Sequence, residues 1–163
     1  MGEFLISLKN DTTNVIQLQT EGGIISFYLY KILPNSVLYA IAIDMDKRLK
    51  CFSIQSNKMR ISFSDISRFT SYLKETALVK DHIVQAEIFV PQELDFQFTV
   101  LDGEILSLSK CSYCSISFMI NLSSCSEGFS NTYLGIESVV LINKIKEFYN
   151  DFKELTNIMR QLM

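Results

Sequence analysis

The chain has 163 residues, 48% hydrophobic and 20% charged, with 2 Pro and 6 Gly, a balance that suits one compact domain spanning residues 1–163 and excludes long disordered linkers. Four cysteines are too few for a disulfide scaffold at this length. The longest uncharged apolar-rich runs, Gly22 to Tyr30 and Ser36 to Ile43, fall short of the ~18 residues of a membrane span, and the start MGEFLISLKN has no basic segment before an apolar one, so a cytoplasmic protein without membrane contact is expected.

From Glu3 to Phe63 the apolar period is mostly two. Phe4, Ile6 and Leu8 predict a first strand, Asn14 to Gln19 and Ile24 to Ile32 two more, and Val37, Tyr39, Ile41, Ile43 and Met45 a fourth. Asp46, Lys47 and Arg48 predict a turn into a strand over Leu49 to Gln55, and Met59, Ile61 and Phe63 a sixth segment. A helix follows, with Ser64 or Asp65 as its cap and Ile66, Phe69, Leu73 and Ala77 along one side.

The period returns to two at Val84, Ala86 and Ile88, then at Leu94, Phe96, Phe98 and Val100. Asp102-Gly103 is a strong hairpin signal, joining that strand to one over Glu104 to Ser109. Cys114, Ile116, Phe118, Ile120 and Leu122 predict another strand, and Ser123 to Thr132 a loop.

From Leu134 to Met163 the spacing predicts a long helix, because Leu141, Ile145, Phe148, Phe152, Leu155, Met159 and Leu162 recur at alternating intervals of four and three. Its first half, Ile136 to Ile142, is rich in β-branched residues, which makes a short strand the competing reading there. Beyond Phe148 the apolar stripe narrows, so Phe148, Phe152, Leu155, Met159 and Leu162 form a seam that either closes the edge of the fold or pairs with a second copy in a homodimer. The expected architecture is α+β: an antiparallel sheet or loose sandwich of about nine to ten strands with two helices, the longer one C-terminal.

Motifs for chemistry are sparse. Cys111-Ser112-Tyr113-Cys114 has the spacing of a zinc knuckle or a redox pair, but no second paired ligand motif accompanies it, and Cys114 enters a predicted strand. Buried strand cysteines are the simpler account. His82, the only histidine, lies in the predicted turn Lys80-Asp81-His82, with no nucleophile elbow around any serine. Asp44 and Asp46 fall at a strand end beside a basic turn, and Gly22-Gly23 lacks the spacing of a phosphate loop. No metal, no cofactor and no catalytic residue is expected.

The charge layout says more. Residues 47–80 carry eight basic side chains against Asp65 and Glu75, whereas 81–109 carry Asp81, Glu87, Glu93, Asp95, Asp102 and Glu104 with no Lys or Arg. Either the two segments pack together and neutralise each other, or the acidic one steers a basic protein through a face around Glu93, Asp95, Asp102 and Glu104. Nucleic acid is an unexpected ligand for a chain of net charge −3 with no aromatics interleaved in a basic stripe.

Three stretches, Arg60 to Lys74 (RISFSDISRFTSYLK), Ala86 to Leu108, and Asn131-Thr132-Tyr133-Leu134 leading into the last helix, carry an order of elements that resembles the WapI-family immunity proteins, small bacterial proteins assigned to protect a cell from a co-encoded toxin. The resemblance implies binding without catalysis: a non-enzymatic protein that occludes a toxin. The alternative is a self-associating structural or adaptor protein that uses the C-terminal seam.

Overall fold

A computed structural model describes residues 14–79, 82–104, 112–121 and 132–163. Strands β1 (Val15–Gln19), β2 (Gly23–Ile32) and β3 (Ser36–Met45) form an antiparallel meander, and β3 also pairs with two short strands, β4 (Ile54–Gln55) and β5 (Met59–Ser62). Helix α1 (Phe63–Leu73) follows and runs into a π-helical turn at Lys74–Leu78. Strands β6 (His82–Ile83), β7 (Phe96–Glu104), β8 (Tyr113–Asn121) and β9 (Tyr133–Leu141) make a second antiparallel sheet in chain order, and α2 (Ile142–Leu162) ends the chain. The architecture is α+β with antiparallel sheets and two helices, the C-terminal one longer, as the periodicity predicts.

One continuous cluster of buried side chains joins both sheets to both helices. Its hub is aromatic. Phe27 of β2 lies 5.6 Å from Phe96 of β7, 5.8 Å from Phe118 of β8 and 5.3 Å from Phe152 of α2, ring centre to ring centre. Phe69 of α1 lies 5.1 Å from Phe152 and 5.6 Å from Phe96. Each such edge-to-face pair adds about 0.5–1.5 kcal/mol beyond burial of the rings. The sheets also meet through backbone: the Glu21 N–H donates to the Val139 carbonyl at 2.9 Å and the Gly22 N–H to Ser138 Oγ at 2.8 Å, which ties the β1–β2 turn to the outer edge of β9.

Several local expectations are corrected. Residues 133–141 form a strand rather than the start of the terminal helix, because Ile136, Val139 and Val140 favour extended backbone and β8 offers a partner in unbroken register from Tyr113↔Leu141 to Asn121↔Tyr133. The helix therefore begins at Ile142, and the Ile142 N–H donates to the Ser112 carbonyl at 2.9 Å. Asp102-Gly103 is no turn: β7 continues through it, with a bulge between Val100 and Asp102, and Gly103 pairs with Cys114. A side chain at Gly103 would lie within 2.6 Å of Cys114 Cβ, so glycine serves close strand approach there rather than turning.

Residues 47–52 form a 3-10 turn in place of most of the expected strand over 49–55. Phe63 opens α1 instead of closing a strand, and the cap is Ser62: the Asp65 N–H donates to Ser62 Oγ at 3.0 Å, and the Ser62 hydroxyl donates to Asp65 Oδ2 at 3.1 Å, a reciprocal capping arrangement. Residues 84–88 are irregular, with the Ala86 N–H donating to the Val100 carbonyl, and Phe89 just beyond them bridges to Phe98. The expected strand over Phe4 to Leu8, nearly all of the one over 104–109, and most of the loop at 123–132 lie outside the described residues.

Candidate functional site

The four acidic residues singled out from the sequence do not form one face. Asp95 and Asp102 are separated by seven residues of mostly extended chain, about 20 Å at the usual rise per residue, so they stand at opposite ends of β7. Asp95 is only 5% exposed, whereas Glu93, Asp102 and Glu104 are exposed.

At the far end of β7 the register sorts the side chains by face. Cys114, Ile116, Phe118 and Ile120 of β8 point into the core, so Tyr113, Ser115 and Ser117 point outward, and antiparallel partners share a face. Asp102 pairs with Ser115 and Glu104 with Tyr113, while Ser117 pairs with Glu137 of β9. Asp102, Glu104 and Glu137 therefore share the outward face of the second sheet. Asp102 and Glu137, two strands and two residues apart, stand ~12 Å from each other by strand spacing. Among the described residues no Lys or Arg occupies an outward position on β7, β8 or β9.

The near end of β7 holds a cleft of about 360 Å³. Lys58, Met59 and Arg60, at the start of β5, line one side together with Ser36 and Ser62, and Glu93 and Asp95 line it from the turn before β7. Here the basic and acidic segments of the chain do come together.

That turn is held from three directions. The Leu94 N–H donates to the Pro91 carbonyl at 2.9 Å, and Leu94 has φ 59°, a left-handed conformation that a non-glycine residue adopts only when its surroundings impose it. Asn121 of β8 donates from Nδ2 to the Leu94 carbonyl at 3.0 Å and from its backbone to the Asp95 carbonyl at 2.9 Å. Asp65 of α1 accepts the Gln92 N–H at 3.0 Å and also pairs with Arg68.

Within this frame the Tyr39 hydroxyl donates to Asp95 Oδ2 at 3.0 Å. Burial pushes the Asp95 carboxyl up to about 6; the Tyr39 hydrogen bond opposes that rise, while Glu93 and Asp65 add to it. Burial, then the Asp95 charge, hold the Tyr39 phenol well above its ordinary range. The sequence reading missed Tyr39, Asn121 and Glu137. A phenol in the otherwise aliphatic row Val37, Ile41, Ile43 was the available signal, since a buried Tyr hydroxyl needs a partner.

The other candidates are placed as follows. Cys114 is fully buried in β8, and burial raises its thiol to about 12, so it stays protonated and unreactive; Cys111 lies outside the described residues. Among the described residues no three His, Cys, Asp or Glu side chains are grouped to hold a metal, and Asp46 is engaged by Arg48 at 3.1 Å. Of the proposed self-association seam, Phe148, Phe152, Leu155 and Met159 are buried in the chain's own core and Leu162 is half-buried. That face is occupied from within. No described helix is long and apolar enough to cross a membrane. The sequence matches no protein-family model and no curated protein.

Proposed function

We propose that the chain is a non-enzymatic binding protein that engages a basic protein partner through the outward face of its second sheet. The observation that carries this reading is the convergence of Asp102, Glu104 and Glu137 on one face without a Lys or Arg among its described outward positions. A field of one sign raises the rate of encounter with a partner of the other sign, and the half-buried hydroxyls of Ser115 and Ser117 supply hydrogen-bonding groups between the charges. The resemblance to the WapI-family immunity proteins names the partner class: a basic toxin domain, bacterial and co-encoded, occluded in the cytoplasm. Relative to the sequence reading the face loses Glu93 and Asp95 and gains Glu137.

The test is to look for a toxin-like reading frame beside this one and to measure association kinetics with its product. Replacing Asp102, Glu104 and Glu137 by Lys should slow association several-fold at low ionic strength, with the difference shrinking as salt screens the charges. Unchanged association rates would remove this face from the interaction.

A further inference from the structure

The cleft at the near end of β7 has a property that the acidic outer face lacks. Charges of both signs line it, yet they do not meet. Among the described residues the ion pairs are Arg48–Asp46, Arg68–Asp65 and Lys144–Glu147; neither Lys58 nor Arg60 is paired with Glu93 or Asp95, although all four line the same space of about 360 Å³. Lys58 instead sits over the Tyr30 ring, 4.4 Å from its centre.

The backbone fixes the points from which the opposed groups start. Lys58 and Arg60 flank Met59, whose side chain is buried and whose register partner is Tyr39, so the β3–β5 pairing fixes where the cations start. Asp95 is fixed by Tyr39, and its turn by Asn121 and Asp65. Asp95 is thus held in place on one side of the cleft while the cations start from β5, and Ser36, Met59 and Ser62 complete the lining.

We infer that this cleft is a binding site for a small dipolar molecule carrying a carboxylate at one end and a cationic nitrogen at the other, the chemistry of a basic or ω-amino acid. The ligand's carboxylate meets Arg60 and Lys58, and its cationic end meets Asp95 and Glu93. A volume of about 360 Å³ stands near the lower end of the ~300–1,000 Å³ range of small-molecule sites, which suits a ligand of this size. Guanidinium and carboxylate also make the stronger, charge-assisted hydrogen bonds. Such a ligand satisfies both walls at once. A simple anion leaves a buried carboxylate facing it, and a simple cation leaves Arg60 unpaired.

The probes are 6-aminohexanoate and L-lysine, with hexanoate and cadaverine as the analogues that each lack one kind of end. Binding is followed on the full chain by two-dimensional NMR, reading the amides of residues 58–62 and 93–95. Both dipolar probes should bind, with hexanoate and cadaverine at least tenfold weaker. Arg60→Ala, on the exposed side of a short strand, should weaken the dipolar probes by about tenfold while leaving the spectrum otherwise folded, and Asp95→Asn should do the same while keeping the Tyr39 contact. Equal binding of cadaverine or hexanoate, shifts outside the cleft, or no binding at millimolar concentration would each overturn the assignment. So would binding of the dipolar probes that both substitutions leave unchanged.

Discussion

The Tyr39 hydroxyl and the Asp95 carboxylate meet at 3.0 Å, joining the middle of β3 in one sheet to the turn that launches β7 in the other. The partner is a group that pays heavily for burial. With its carboxyl at about 6 against an ordinary 3.8, Asp95 holds a proton in the folded chain between pH ~4 and ~6 after the unfolded chain has released its own, so stability falls as pH rises through that window.

Asp95→Asn follows directly. The amide oxygen still accepts from Tyr39, but no charge is buried, so the variant should be more stable than the parent at pH 8 by about 1–3 kcal/mol, allowing for the solvent that reaches the cleft. The gap should close toward pH 4, where the parent carboxyl is itself protonated. Urea unfolding of both proteins across this range measures it, and a gap independent of pH would show that Asp95 is not the titrating group.

Much of this fold was legible, and the misses share a cause. The alternation of Cys114, Ile116, Phe118 and Ile120 gave β8 correctly because a half-buried strand prints its period on the sequence. Around Asp95 the same rule failed: Leu94 takes φ 59°, the alternation slips, and Leu94 is 44% exposed while Asp95 is buried. Residues 136–142 are apolar enough to extend the helical seam of α2, and only pairing with β8 makes them a strand. Asp102-Gly103 reads as a hairpin by local preference, but Gly103 is required by its neighbour across the sheet. Glu93, Asp95, Asp102 and Glu104 stood out in the sequence, but not their separation, because that depends on which end of β7 each occupies, and Glu137 did not stand out because only strand pairing brings it beside Asp102.

Gly135 is a second position where the neighbour across the sheet demands glycine. It pairs with Met119, and a Cβ built there would overlap the Phe118 carbonyl oxygen and lie 2.7 Å from Met119 Cα. Both obstacles are backbone and cannot swing aside. Gly135→Ala should therefore force β9 away from β8 and cost at least ~1–3 kcal/mol, the usual range for overpacking, whereas Glu137→Ala on the same strand should cost less than about 0.5 kcal/mol as an exposed substitution. Equal melting temperatures for the two variants would contradict this register.

The burial of the α2 stripe separates a structural role from an associative one. Phe152 touches Phe27, Phe69 and Phe148 at 5.0–5.3 Å and is 2% exposed, so Phe152→Ala should cost about 3–5 kcal/mol, the usual penalty for deleting a buried aromatic ring. Against a total stability of about 5–15 kcal/mol that is a large fraction. Leu162, half-buried at the end of the helix, should cost less than half as much when cut to Ala. If α2 were a seam between two copies, Phe152→Ala would dissociate a dimer and leave a folded monomer. The packing requires the opposite: sedimentation velocity should give one and the same species for the parent and for folded Phe152→Ala, and the loss should appear entirely in the unfolding midpoint.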